Sequence, residues 1–199
     1  MAPLRAAFAL AVVLAAPAHA DPIRRWQPFI DEAALRSGIP ADWIARVMRA
    51  ESGGHATRGG LPIRSPAGAI GLMQLMPGTW ADMTARHGLG NDPDDPRANI
   101  LGGAAYLRIM YDRFGFPALF AAYHAGPARY ADHLAGRPLP PETIAYTAAV
   151  TRGLTTSEGL PPPPPETLFI VRRTAFLPPD ALPANALFAV RRSPPLAPR

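Results

Sequence analysis

The sequence predicts an all-α fold: one compact helical domain followed by a tail. Three observations support this. From about Arg24 to Gly153 apolar residues recur at helical spacing in short segments, Gly and Pro punctuate those segments, and no stretch shows the sustained apolar-polar alternation of a half-buried strand. Roughly 130 residues of this kind form one domain, long enough to bury a real core. Helices are expected near 26–37, 41–51, 72–76, 78–87, 96–114, 117–124, 127–135 and 141–152. Asp95-Pro96 reads as an N-cap followed by Pro at the first helical position, and Pro141 before Glu142 gives the last helix a similar start.

The segments flanking this domain have a different composition. Residues 1–20 hold one arginine, an apolar run and an Ala18-His19-Ala20 end, the layout of a secretory signal peptide cleaved before Asp21. The apolar run is much shorter than the roughly 20 residues a bilayer core requires, so no transmembrane segment is expected, and the mature chain is expected in the periplasm. There is no cysteine, which excludes disulfides, thiolate metal sites and a nucleophilic thiol. The formal charge of +5, less Arg5, is +4, and every basic residue is arginine. That balance suits an anionic polymer, but the arginines are scattered rather than striped and export argues against nucleic acid as a partner. After Gly153 the domain should give way to a tail, 154–199, with eleven prolines between 161 and 198. Its polyproline run is a stiff spacer and the rest is expected to be disordered. Within it "LFIVRR" at 168–173 recurs as "LFAVRR" at 187–192, which reads either as a docking motif for an envelope protein partner or as an accident of biased composition.

A glutamate stands where the helical pattern reserves a place for a hydrophobe. From Pro40 onward Ile44, Val47 and Met48 mark one helical face, and its next member is Glu51, followed by Ser52, Gly53 and Gly54. The glycines should stop the helix, which places an inward-facing carboxyl in its last turn. Burial and the negative end of the helix dipole both disfavour the carboxylate, and this raises the pKa in the way a general acid requires. The competing reading is a glutamate that reaches solvent as the helix frays.

Other stretches gain weight in combination. A Gly- and Pro-containing loop leads into "GAIGLMQLMPGTW", where Gln74 taken alone is a surface polar residue. In "AAYHAGPARY" small residues flank Tyr123 and His124, which fits tight helix packing or a slot with a phenol pointing into it. Together, Glu51-Ser52 at a helix end, Gly-Leu-Met-Gln-Leu-Met-Pro, Ala-Ala-Tyr-x-Ala-Gly-Pro and the Glu-Thr-x-x-Tyr of "PETIAYTAAV" closely resemble the soluble lytic transglycosylases of bacteria over about residues 25–153. The resemblance implies an all-α domain of the α+β lysozyme-like superfamily, no cofactor and no metal. It also implies cleavage of the MurNAc to GlcNAc bond of peptidoglycan glycan strands without water, leaving a 1,6-anhydro sugar. Carried over, Glu51 is the catalytic acid and base, Ser52 helps hold substrate, and Met73 and Gln74 line the groove. Tyr123 and Tyr146 approach Glu51 from the other side. Two features depart from the family pattern: His124 stands where Asn is usual, which unsettles substrate contact there, and the loop after Glu51 carries an extra "RGGLPIR".

The residues also argue independently against ordinary hydrolysis. Glycoside hydrolysis uses two carboxyl groups across the bond. Between Glu51 and Asp82 there is no Asp or Glu. Asp92, Asp94 and Asp95 could reach a cleft, but their simplest role is to cap the helix starting near Pro96, ahead of a cation site. The alternatives are a non-catalytic peptidoglycan-binding or secretion-assembly adaptor and a lysozyme-type hydrolase.

Overall fold

The computed structural model describes residues 21–154. The expected signal peptide, the Pro-rich tail and both LFxVRR copies lie outside the described residues. Seven α-helices follow in order: α1 Gln27–Ser37, α2 Ala41–Ser52, α3 Pro77–His87, α4 Pro96–Phe114, α5 Ala118–Ala125, α6 Pro127–Leu134 and α7 Pro141–Thr151. A single turn of 3-10 helix, Arg24–Trp26, leads into α1.

The local signals for helix starts and stops hold. The Asp95 carboxylate accepts from the Ala98 amide and caps α4, and Pro occupies the first turn of α3, α4, α6 and α7. Gly38, Gly53 and Gly88 end α1, α2 and α3 in the left-handed conformation that a side chain disfavours. Helix α4 is the centre of the domain. Ile100, Ala104, Leu107 and Met110 are each 1% exposed or less, and α1, α3 and α5 pack around it. Such all-round burial explains why α4 shows little amphipathic contrast in sequence. On the far side of α2, Trp43 packs among Phe116, Phe120 and Tyr111 with ring centroids 5.0, 5.4 and 6.2 Å away.

Two expectations are corrected. Residues 72–76 are not helical. Ile70 and Leu75 pair as an isolated bridge, with amide-to-carbonyl distances of 2.8 and 3.0 Å, and Gly71 and Gln74 take positive φ of 72° and 46°. The turn is imposed from outside: Asn99 Oδ1 of α4 accepts from the Met73 amide at 2.8 Å, and Asn99 Nδ2 donates to Ile70 O at 3.1 Å. Backbone groups that a helix would have paired locally are paired with a side chain of α4 instead.

The loop after α2 is also not devoid of strand. β1 Thr57–Arg58 pairs antiparallel with β2 Leu61–Pro62 across Gly59 and Gly60, whose φ angles of 60° and 80° are those of a tight hairpin turn. The additional "RGGLPIR" is therefore a hairpin. Its base is stapled by Arg64, which donates to both oxygens of Asp94 at 2.6 and 2.8 Å.

Candidate active site

Glu51 lies in the last turn of α2, one helical turn beyond Val47 and Met48, both fully buried. The end of α2 is held from two directions. Ser52, 6% exposed, donates its Oγ to Met48 O at 3.1 Å and accepts from the Gly54 amide at 3.2 Å. Gly54 O in turn accepts from Arg25 Nη2 and Trp26 Nε1, both at 2.8 Å. A β-carbon on Gly54 would come within 2.8 Å of Ile23 Cδ1, so this close approach of the N-terminal turn depends on glycine. Glu51 thus extends from an anchored helix end, where fraying is suppressed.

The carboxyl of Glu51 is largely buried, and burial raises its pKa to about 7, opposed by an interaction with the Tyr146 phenol that favours the carboxylate. The contact is longer or more oblique than a full hydrogen bond, since the buried Tyr146 Oη has no partner at strict geometry. Burial, with Glu51 as a neighbour, raises both tyrosines well above the ordinary phenol range. Among the described residues no second carboxylate contributes to the titration of Glu51. The aspartates near α4 are committed elsewhere, Asp95 as the cap and Asp94 to Arg64.

The residues singled out in the sequence take unequal places. Tyr146 of α7 faces Glu51, and Tyr123 of α5 senses its charge but donates its hydroxyl to Met73 O at 2.7 Å. Tyr123 thus fixes the turn beside Glu51. Met73 is 0% exposed and a β-carbon on Gly103 would come within 2.5 Å of its Cγ, so its side chain is a core wedge against α4 and not a groove wall. The hydroxyl of Ser52 is likewise spent within the protein, which makes it a brace for the helix end. Gln74 is half-buried and donates Nε2 to Gly71 O at 2.8 Å; its left-handed backbone is unusual for a residue with a β-carbon. His124 is exposed at the end of α5, with Nδ1 3.1 Å from Thr143 Oγ1 and its ring in tilted contact with that of Tyr146.

Asn99 and Thr143, each 1% exposed, were given no role from sequence, although Thr143 stands in the Glu-Thr-x-x-Tyr stretch. Asn99 could have been given one: it is an amide inside "ANILGGAAYL", an otherwise apolar run. Thr143 gave no comparable signal, because a threonine in the first turn of a helix is ordinary at the surface.

This arrangement can be compared with known proteins. The family model described as the transglycosylase SLT domain matches residues 28–138. The chain belongs to that family. Among curated relatives, the soluble lytic murein transglycosylase of Escherichia coli K12 is 33% identical over 126 residues, covering 58% of this chain and 19% of that protein. The transglycosylase of Enterobacteria phage PRD1 is 35% identical over 103 residues, covering 51% and 35% respectively. The chain therefore spans well under half the length of these relatives. Among solved structures, an inactive Glu-to-Gln mutant of the lytic transglycosylase Slt from Pseudomonas aeruginosa superimposes with a TM-score of 0.54 at 31% identity, over 62% of this chain and 22% of that one. The SLT domain accounts for α1 to α6, and its lysozyme-like fold is the all-α architecture described above. Helix α7, which brings Tyr146 to Glu51, follows the matched residues.

Proposed function

We propose that the chain is a peptidoglycan lytic transglycosylase that cleaves the β-1,4 bond between MurNAc and GlcNAc without water. The observation that supports this best is Glu51, a largely buried carboxyl with its pKa raised to about 7 and, among the described residues, no second carboxylate bearing on it. A group with that pKa holds a proton at neutral pH and releases it when an acceptor arrives. In the first step Glu51 protonates the bridging oxygen, the C1–O4 bond breaks, and GlcNAc leaves with a free 4-hydroxyl. The positive charge left at C1 is met by the carbonyl oxygen of the substrate's own 2-acetamido group, which does the work a second carboxylate does in a hydrolase. In the second step Glu51, now a carboxylate, takes the proton from the C6 hydroxyl. O6 bonds to C1, closing the 1,6-anhydro ring. Glu51 ends as it began and no water is consumed. The Tyr146 phenol favours the ionised form between the two steps, so it eases proton release without abolishing the proton's presence at rest.

The solved neighbour is inactive with Gln in place of a Glu, which supports assigning one glutamate this role. Export by the signal-like residues 1–20 would put the enzyme in the periplasm beside its substrate, and the arginine surface suits the anionic wall. The proline-rich tail would then recruit an envelope partner through its two LFxVRR copies. Mass analysis of fragments released from purified sacculi tests the reaction: 1,6-anhydromuropeptides, one water lighter than lysozyme products, are expected. Products with mainly free reducing ends would overturn the proposal.

A further inference from the structure

We infer that His124 is a positioning residue: its ring braces Tyr146 against Glu51 from the solvent side. The inference rests on the reading of Glu51 as the catalytic acid. Three observations support it. The His124 and Tyr146 ring centroids lie 4.4 Å apart at an interplanar angle of 35°, a close tilted ring contact. The same imidazole is tied by Nδ1 to Thr143 Oγ1 at 3.1 Å, and Thr143 is 1% exposed and cannot move aside. Thr143 and Tyr146 stand three apart on α7 and so share a face, which lets one ring from α5 engage both.

The brace matters because the polar end of Tyr146 is held only weakly, by its contact with Glu51. Its Oη is buried and makes only a long or oblique contact with Glu51, so ring packing contributes most to its direction. An amide side chain at position 124 could keep the bond to Thr143 but offers no ring face. The ionisable groups around the two rings are Glu51 on α2, Tyr123 on α5, and Glu142 and Tyr146 itself on α7. Partial burial lowers the His124 pKa from its ordinary value against the opposing pull of Glu142, which favours the neutral imidazole. The ring contact, not a charge, is what His124 contributes.

The test is the pKa of the Glu51 carboxyl, read by carbon NMR on the full chain with labelled glutamate, together with kcat and KM on soluble glycan strands. His124→Ala frees Tyr146 and admits water. Because burial is the largest cause of the raised value, the Glu51 pKa should fall by about one unit and kcat by about tenfold, with KM unchanged. His124→Phe, which keeps a ring face, should restore both, and His124→Asn should behave as His124→Ala. A Glu51 pKa in His124→Ala equal to that of the parent overturns the inference. A raised KM with kcat unchanged overturns it too, by making His124 a substrate contact. Because the NMR titration needs no turnover, a parent chain that releases no anhydro products would fail the enzymatic reading and leave the bracing result standing or falling by itself.

Discussion

Replacing Glu51 with Gln separates catalysis from stability. The amide cannot deliver a proton, so activity on sacculi should drop by at least about a thousandfold. Stability should move the other way. The folded pKa of about 7 lies above that of the unfolded chain, so the folded state keeps a proton that the unfolded state has lost in the window between. The buried carboxyl is therefore harmless below about pH 4.5, and its penalty grows until pH passes about 7. Glu51→Gln should match the parent in denaturant unfolding at pH 4 and exceed it by about 1–3 kcal/mol at pH 8. A variant less stable than the parent at pH 8 would contradict the buried-acid geometry. Activity of the parent should decline as pH rises through about 7, because only the protonated form starts the reaction. Tyr146→Phe removes the group that favours the carboxylate while leaving the packing, so that decline should shift to higher pH; an unchanged pH profile would remove Tyr146 from the site. Glu51 was legible in the sequence because a charged residue interrupted a regular apolar face. The role of Met73 was not, since its partner on α4 decides it and sequence spacing carries no trace of that partner; Ser52 spends its hydroxyl on its own helix end, on Met48 O and the Gly54 amide.

The element that most shapes the site is the turn at 70–75. Leu72, Met73, Gln74, Leu75 and Met76 are all locally compatible with a helix, and one was expected over 72–76. The deciding contacts come from Asn99 and Tyr123, 26 and 50 residues further along the chain, and their hydrogen bonds hold Gln74 in a left-handed backbone. Asn99→Ala would leave the buried Met73 amide without its partner and take one of two donors from the Ile70 carbonyl, which keeps the Leu75 amide, at a cost of about 1–3 kcal/mol. The variant should unfold at lower denaturant and lose activity more than its stability alone explains, because the turn beside Glu51 relaxes towards the helix its sequence allows. Wild-type kinetics in Asn99→Ala would show that the turn has no part in the site. Helix starts and stops were legible for the opposite reason. Asp95, Pro96 and Gly53 act through their own backbone geometry, so no distant residue was needed to decide them.

At the scale of the whole molecule, a helical SLT domain is followed by a segment of different composition. Truncation after Gly159 should leave the rate on isolated sacculi within about twofold of the full chain, since every residue placed around Glu51 precedes it. In cells the same truncation, or Phe169→Ala with Phe188→Ala, should abolish recruitment to an envelope partner, because two weak copies on one chain act through effective concentration. If the double Phe variant is recruited normally while removal of the arginines is not tolerated, the tail is an electrostatic tether only. The fold class was readable from composition and periodicity, and the Gly59-Gly60 hairpin was missed because two-residue strands are too short to show alternation. The central claim is that one buried carboxyl cleaves the glycan without water, and digestion of sacculi in water enriched in oxygen-18 tests it most directly. Anhydro products carrying no label, and no products at all from Glu51→Gln, are the predicted result; incorporation of the label at the new sugar end would contradict it.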